Sequence, residues 1–202
     1  MTIFSSKATV ISEIKKRGFA KTGDLERIGA SRQQVRRMAR SGEIERVAWG
    51  LYRLPSAVPS QWQSYAEVSR RVPRGVICLL SALRFHELTT QNPWEVWVAI
   101  EGRSWRPPRG NPPIQIVHAS GPAFRKGIER HRVGGTSIRV YGVAKTIADC
   151  FKYRRRVGLE VALEALRDGW RDRKFTMEEI DRFARICRVQ RVMQPYLEAT
   201  VA

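Results

Sequence analysis

The stretch that most constrains the fold of this chain is residues 31–53, SRQQVRRMARSGEIERVAWGLYR, because it joins a helix pattern to a hairpin pattern. At 100° per residue, three apolar side chains share one helix face: Val35, Met38 and Ala39. Three polar side chains lie opposite them: Gln33, Arg37 and Arg40. Ser31 suits the N-cap, and Gly42 stands where a left-handed C-cap residue belongs. The pattern predicts an amphipathic helix that packs its apolar face and exposes arginine and glutamine.

The residues after this helix predict a small antiparallel hairpin. From Ile44 to Trp49 the side chains alternate between two faces, and Gly50 supplies a turn. Residues 51–54 then return as a second short strand before Pro55. Such a hairpin is typical of the wing that follows the third helix of many DNA-binding domains.

Two further helices are predicted upstream. Apolar residues at positions 10, 11 and 14 form a stripe on a first helix that ends near Gly18. A short second helix starts at Thr22 or Gly23 and closes at Gly29. The order helix, short helix, turn, helix, hairpin is that of a winged helix-turn-helix, whose third helix enters the major groove.

Arginine and glutamine suit guanine and adenine edges, so the exposed face of the third helix favours DNA reading. The alternative from the same residues is a three-helix packing or protein-interaction module with a solvated arginine face. The predicted base readers are Gln33, Arg37 and Arg40. The predicted backbone contacts are Lys21, Thr22, Arg36, Arg46 and Arg53. Ser31 and Gln34 complete the predicted DNA-binding set.

Charge and length agree with a nucleic-acid partner. The 202 residues carry 37 Lys and Arg against 19 Asp and Glu, a net charge of +18. That balance is typical of proteins that bind nucleic acid or anionic surfaces. No apolar run approaches the roughly 18 to 20 residues of a membrane span, and the N-terminus lacks a signal-peptide pattern, so we expect a cytoplasmic protein.

The remaining residues predict a second domain. A Pro/Ser connector at residues 55–59 places the boundary between an N-terminal domain, 1–56, and a C-terminal domain, 57–202. The second domain is predicted to contain helices at 62–72, 75–88, 145–153, 158–170 and 176–189, and strands at 94–100, 114–118 and 137–141. Loops rich in glycine and proline, 102–113 and 121–135, separate the strands. The fold class is therefore α+β, a winged helix-turn-helix followed by a domain with a small sheet and several helices.

Signatures of catalysis are missing from the sequence. His86, His118 and His131 show no helical i, i+4 spacing to another His or Cys, and no phosphate-binding glycine motif or nucleophile elbow occurs. Three widely spaced cysteines lie in apolar segments, which favours reduced packing thiols. We therefore expect no catalytic residues, no metal and no cofactor.

Basic clusters in the second domain allow a further phosphate contact. Arg103, Arg106 and Arg109 surround Trp105 in one loop, and Arg125, Lys126, Arg130 and Arg132 populate the next. A denser cluster interleaves Phe151 and Tyr153 with Lys152, Arg154, Arg155 and Arg156. That cluster fits a phosphate-binding patch and equally a helix C-terminus complemented by cations.

Several segments resemble AbiEi antitoxins. They are Gly18-Phe19-Ala20, the wing end Gly50 to Pro55, the segment ICLLSALRFHELTT at 77–90, Val140-Tyr141, and above all KTIADCFKYRRRVGLEVALEALR at 145–167. The resemblance implies a bacterial type IV toxin–antitoxin and phage-defence protein. Its N-terminal domain would bind inverted repeats upstream of its own operon, and its C-terminal domain would counter an AbiEii-like nucleotidyltransferase toxin. Wings of the family usually carry a basic residue where this chain has Trp49.

The leading hypothesis is a non-enzymatic antitoxin and sequence-specific autorepressor, with operator DNA and a nucleotidyltransferase-like toxin as partners. A rival hypothesis is an RNA-interacting or nucleic-acid-processing protein that uses the basic second domain, since bases stack on rings such as Trp105 and Tyr153. In that case, mutation of Asp149 or Glu101 would remove turnover. A third is a pure interaction module whose basic charge meets an acidic protein.

Overall fold

A computed structural model of the chain describes residues 6–55, 62–102, 110–133 and 135–201. The chain divides into two compact units. Unit 1 comprises residues 1–73, 107–113 and 132–138, and unit 2 comprises residues 74–106, 114–131 and 139–202. The end of the predicted N-terminal domain and the arginines of the 103–109 loop lie outside the described residues. The boundary after residue 56 therefore stays a prediction.

Unit 1 contains the predicted winged helix-turn-helix. In chain order its elements are α1 (Lys7–Arg17), β1 (Ala20–Lys21), α2 (Thr22–Arg27), α3 (Arg32–Arg40), β2 (Glu45–Ala48), β3 (Leu51–Arg53) and α4 (Gln63–Arg71). The predicted order of helices and hairpin is confirmed. The sequence patterns missed β1, whose two residues are too few to show an alternating pattern.

Serine caps start two of these helices where the chain leaves an extended conformation. The Ser6 hydroxyl accepts the Thr9 amide at 3.2 Å, and the Ser31 hydroxyl accepts the Gln34 amide at 3.1 Å. Gly42 takes φ +75°, a region that costs an L side chain energy, so the chain turns sharply after α3. Both predicted ends of the third helix are confirmed.

The core of unit 1 joins the three helices to the sheet. The sheet has the order β1, β3, β2, all antiparallel, with Ala20 opposite Tyr52 and Arg46 opposite Tyr52 on the other side. A bulge falls between Arg46 and Ala48. The buried cluster consists of Val10, Ile14, Ala20, Leu25, Ala30, Val35, Met38, Ile44 and Tyr52. Burial of Val35 and Met38 fixes which face of α3 points outward.

Unit 2 packs helices against a five-stranded mixed sheet. Its helices are α5 (Leu79–Phe85), α6 (Pro122–Arg125), α7 (Val143–Lys152), α8 (Arg154–Val157), α9 (Leu159–Arg171), α10 (Met177–Cys187) and α11 (Gln190–Val201). The sheet strands are β4 (Val76–Ile77), β5 (Val96–Glu101), β6 (Ile114–Ala119), β7 (Ile128–Val133) and β8 (Thr136–Tyr141). They lie in the order β6, β5, β4, β8, β7. The predicted α+β class is confirmed.

The prediction of one buried helix over residues 75–88 is wrong. Val76 and Ile77 form β4, which pairs antiparallel with β5 and parallel with β8, and the helix begins only at Leu79. A short continuous apolar run fits a buried strand as well as a buried helix, and periodicity does not separate them. Hydrogen bonding to β5 and β8 on either side is what makes these two residues a strand.

Other differences arise in the predicted loop 121–135 and at the C-terminus. That loop contains α6 and all of β7, whose polar side chains gave no clear apolar alternation. The helices α8 and α11 also went unpredicted, and α11 contains Pro195 in its interior. The predicted capping box of α10 is confirmed, because Thr176 Oγ1 accepts the Glu179 amide while the Thr176 amide donates to the Glu179 carboxylate at 2.9 Å.

Polar and thiol groups inside unit 2 are paired with one another. Lys145 and Asp149, both buried, form an ion pair one turn apart on α7. Cys187 donates to Asp149 Oδ1 at 3.2 Å, and burial together with that carboxylate raises the pKa of the Cys187 thiol to about 12. Cys78, Cys150 and Cys187 are all buried and free, as predicted. The rival hypothesis of a nucleic-acid-processing enzyme named Asp149 as a residue needed for turnover. In the structure Asp149 is part of the core.

Metal clusters and membrane-spanning helices do not occur among the described residues. No group of three or more His, Cys, Asp or Glu side chains there is arranged to hold a metal ion. None of the described helices has the length and apolar character needed to cross a membrane.

Candidate nucleic-acid interface

The outer face of α3 is an exposed row of polar and cationic side chains. Gln33, Arg36, Arg37 and Arg40 are exposed, while Val35 and Met38 on the inner face are fully buried. Among the described residues, no carboxylate lies within ion-pairing distance, 4.0 Å, of these three guanidinium groups. By contrast, Arg32 at the start of α3 is paired with Glu26 at 2.5 Å. The face therefore offers three guanidinium groups to a partner outside the unit.

The wing presents an aromatic tip. Trp49 is 83% exposed and precedes Gly50, which adopts φ +66° at the turn. The Arg46 guanidinium lies 4.7 Å from the centre of the Trp49 ring, and its Nε donates to the Ala48 carbonyl at 3.3 Å. A cation held over an indole face is attracted by the ring quadrupole, so Arg46 and Trp49 are organised as a pair.

A hollow of about 240 Å³ separates the wing from α3. Its lining residues are Thr22, Arg32, Arg36, Arg46, Trp49, Gly50 and Tyr52. Three arginines of like charge therefore border one small space, an arrangement that a bound anion relieves. Because the Thr22 amide donates to the Gly50 carbonyl at 2.8 Å, the start of α2 is fastened to the wing turn.

Helix α2 is held in place by a buried carboxylate. Asp24 accepts the Lys21 backbone amide at 3.1 Å and forms an ion pair with Arg27. Arg17 lies 3.6 Å from the same carboxylate, and Arg70 of α4 lies 3.9 Å away. This cluster connects α1, α2 and α4, and it leaves the Lys21 side chain exposed beside the helix start.

Arg53, predicted to contact the DNA backbone, has carboxylate partners inside unit 1. Its guanidinium lies 2.7 Å from Glu45 on the wing and 3.3 Å from Glu67 on α4, and its side chain is only 24% exposed. Burial raises the pKa of Glu67, and the Arg53 charge opposes that rise. Arg53 therefore connects the wing to α4. Its charge is compensated by these two carboxylates, unlike the charges of Arg36, Arg37 and Arg40 on α3.

The structure groups the predicted residues in three ways. Gln33, Arg37 and Arg40 share the outer face of α3, and Thr22, Arg36 and Arg46 surround the hollow. Ser31 is engaged as the N-cap, and Gln34 is half-buried. Sequence reasoning missed Arg32, which lines the hollow, and did not assign Trp49 to the site. A large aromatic residue in an otherwise polar hairpin turn was the available signal.

Comparison with known families places this surface in a defined context. Residues 9–55 match the family model described as "Transcriptional regulator, AbiEi antitoxin". These residues are similar to the N-terminal domain of AbiEi antitoxin transcriptional regulators. They run from α1 to the end of the wing, so all of the predicted DNA contacts lie within the matched segment. The resemblance at residues 145–167 lies outside the match, and no curated protein was found to match the chain.

Proposed function

We propose that the chain is a non-enzymatic antitoxin that represses its own operon by binding inverted repeats upstream of it. The observation that carries this proposal is the outward row Arg36, Arg37 and Arg40 on α3. These arginines have no carboxylate partner among the described residues and lie within the segment that matches AbiEi regulators. In this proposal α3 enters the major groove and the wing lies along the adjacent backbone. The C-terminal residues counter a nucleotidyltransferase-like toxin.

Base reading falls to the outermost residues of α3. Arg37 and Arg40 can each donate two parallel hydrogen bonds to guanine O6 and N7, and Gln33 can pair with adenine N6 and N7. All three side chains are exposed on the face opposite the buried Val35 and Met38. Since a helix in the groove presents one face to the base edges, these residues are the proposed readers.

Backbone contacts fall to the hollow and its rim. Arg36 and Arg46 border the hollow, and a DNA phosphate placed there neutralises their shared charge. Lys21 and Thr22 lie at the start of α2 and extend the contact along the same strand. Phosphate contacts fix register and orientation and carry no sequence information, so this part of the interface sets affinity and salt dependence.

Trp49 gives the wing a different chemistry from a basic tip. Its exposed ring can pack on a deoxyribose while Arg46, stacked on the ring, meets the neighbouring phosphate. The wing in this proposal therefore supplies apolar contact and one charge together.

Inverted repeats imply two copies of the chain on one operator. A helix-turn-helix pair binds half-sites whose centres are roughly 10 to 10.5 base pairs apart, or a multiple of that spacing. We therefore expect two protomers per operator and loss of tight binding when five base pairs are inserted between the half-sites.

A titration on DNA tests the repressor proposal. The full chain is titrated against its own upstream DNA and against scrambled DNA of equal length at several salt concentrations. We expect tighter binding to the upstream DNA, and a fall in affinity with salt whose slope reports the phosphates neutralised. Lys15→Ala removes one exposed charge from α1 and is the matched control for Arg37→Ala on α3. Equal affinities for the two sequences would overturn the proposal.

Co-expression tests the antitoxin proposal. The chain is expressed with the product of the neighbouring gene, and growth is compared with expression of that product alone. Rescue of growth by the full chain carrying Arg37→Ala would separate neutralisation from operator reading. Failure to rescue with the unaltered chain would remove the antitoxin role.

A further inference from the structure

Unit 2 has an exposed aromatic surface of its own. Trp94 is 78% exposed and borders a hollow of about 330 Å³. The hollow is lined by Leu80, Gln91, Asn92, Pro93, Trp94, Glu95 and Trp97. Its volume falls at the lower end of the roughly 300 to 1,000 Å³ typical of ligand sites. The lining combines two indole rings with amide groups and one carboxylate.

Strand geometry explains why these groups meet. Glu95 and Trp97 are two residues apart, so they project from the same face of the chain entering β5. Gln115 on the parallel strand β6 is the register partner of Trp97. With its nitrogen facing Glu95 at 3.1 Å, the Gln115 amide also accepts a hydrogen bond from Arg156 at 2.5 Å. The groups around Trp97 are thus mutually positioned.

Helix α8 brings positive charge to this surface. The Arg156 guanidinium lies 5.1 Å from the centre of the Trp97 ring, and Arg155 beside it is exposed. Lys152, exposed at the end of α7, lies 5.7 Å from the Tyr153 ring. Among the described residues, no carboxylate lies within 4.0 Å of the charged nitrogens of these three side chains. These three residues, called the cationic strip below, reach the aromatic surface where Arg156 meets Trp97.

We propose that this surface binds a single-stranded segment of nucleic acid. A base stacks on the open face of Trp94 inside the hollow, and the adjoining phosphates contact Arg155, Arg156 and Lys152. Stacking needs an unpaired base, because the faces of paired bases are covered by their neighbours in a duplex. The exposed indole ring suits the planar bases of such a strand, and the cationic strip suits its regularly spaced phosphates.

The rim of the hollow predicts a base preference. One oxygen of Glu95 accepts from Gln115, and the other remains to accept from a base. Guanine and cytosine present N–H donors on the Watson–Crick edge, whereas uracil presents only its N3–H between two carbonyl groups. We therefore expect strands that contain guanine or cytosine to bind more tightly than oligouridine.

The test uses the full chain carrying Arg36→Ala, Arg37→Ala and Arg40→Ala, which removes the three guanidinium groups that α3 offers to DNA. Fluorescence anisotropy is measured with labelled ten-nucleotide RNA and DNA single strands and with a duplex of the same sequence. We expect Trp94→Ala to weaken single-strand binding by about 5- to 150-fold, the range for loss of one stacked base. Trp94→Phe keeps an aromatic face and should retain most of the affinity.

Charge variants test the proposed phosphate contacts of the cationic strip. Removing one phosphate interaction with a single strand reduces the salt slope by roughly 0.7, so Arg155→Gln should lower it by that amount. Arg191→Gln removes an exposed charge from α11 and serves as the matched control, with no change expected. RNA and DNA arms of the titration show which sugar the surface prefers.

Three results would overturn the proposal. One is unchanged single-strand affinity in Trp94→Ala, and another is equal affinity for the duplex and the single strand. The third is a salt slope that Arg155→Gln leaves unchanged, which would remove the phosphate contacts from the proposal. None of these results depends on whether α3 reads an operator, so the two proposals fail separately.

Discussion

Helices α3 and α7 both carry charged side chains, yet the charges of the two helices are satisfied in opposite ways. On α3, Arg36, Arg37 and Arg40 point outward and have no carboxylate within ion-pairing distance in the described part of the chain. On α7 the buried Lys145 is paired with the buried Asp149, and its ammonium group lies 4.1 Å from the centre of the Tyr141 ring. The first helix keeps its charge for a partner, whereas the second satisfies it internally.

A charged residue in a recognisable motif is therefore not by itself a binding residue. Lys145 and Asp149 lie in the segment 145–167, which the sequence analysis likened to AbiEi antitoxins and which lies outside the matched residues 9–55, and both are buried inside unit 2. Burial costs each charge several kcal/mol of hydration, which the pairing must offset. Substitutions on the two helices can test this contrast.

Breaking the buried pair should have the largest effect. Asp149→Ala leaves the Lys145 ammonium buried without its partner and also removes the acceptor of the Cys187 thiol. We expect the free energy of unfolding to fall by about 3 to 5 kcal/mol. Urea unfolding followed by circular dichroism measures it. The double variant Lys145→Met with Asp149→Leu should recover most of the loss, and a single-variant loss below ~0.5 kcal/mol would show that the pair is not desolvated.

Removing one outward charge from α3 should affect binding and leave stability alone. Arg37→Ala is expected to cost about 1 to 3 kcal/mol in affinity for the upstream DNA and to relax the sequence preference. Its unfolding free energy should change by less than about 0.5 kcal/mol, as for exposed sites in general. Isothermal titration and urea unfolding of the same sample give both numbers. A stability loss without an affinity loss would reverse the contrast between the two helices.

The N-cap of α3 is expected to affect stability less than the buried pair on α7 and more than Arg37 does. It holds the backbone of the helix that carries the proposed base readers. Ser31→Ala removes the acceptor of the Gln34 amide and should lower stability by about 0.5 to 2 kcal/mol. Ser31→Asp retains an acceptor and should keep most of the stability. Ser12→Ala, at an exposed interior position of α1, is the control. Thermal unfolding measures all three, and equal midpoints would exclude a capping role.

A half-buried histidine, His86, gives the smallest expected effect on stability, and that effect depends on pH. His86 donates from Nε2 to the Tyr141 carbonyl at 2.8 Å, and burial lowers its pKa from the usual 6.5, a shift that this hydrogen bond and Glu129 oppose. The unfolded chain takes up a proton near pH 6.5, whereas the folded chain resists it. Stability should therefore be full above pH 6.5 and fall as the pH drops toward the lowered folded value.

Urea unfolding between pH 5 and 8 measures this dependence. His86→Gln removes the titrating group, so its stability should vary less over the same interval. An identical pH profile in His86→Gln would assign the dependence to other groups.

Much of unit 1 was predictable because its signals are local. Ser31, Gly42 and Gly50 mark the ends of α3 and the wing turn, and the 3.6-residue periodicity of Val35, Met38 and Ala39 sets the outward face. The strand at Val76 and Ile77 was not predictable, because two apolar residues carry no period. Neither was the pairing of Arg53, since its partners Glu45 and Glu67 are 8 and 14 residues away in the chain.

Local sequence signals are enough to set the order of elements in the winged helix-turn-helix and the residues that α3 turns outward. Those properties follow from helix periodicity, caps and turn residues, which act over a few positions. Which charges remain available to a partner depends instead on how the chain packs in three dimensions. Within the described residues this packing paired Arg53 and Lys145 with carboxylates, left Arg36 and Arg37 without them, and placed Arg156 against Trp97. Availability depends on distance and burial in space, and neither quantity is carried by spacing along the chain.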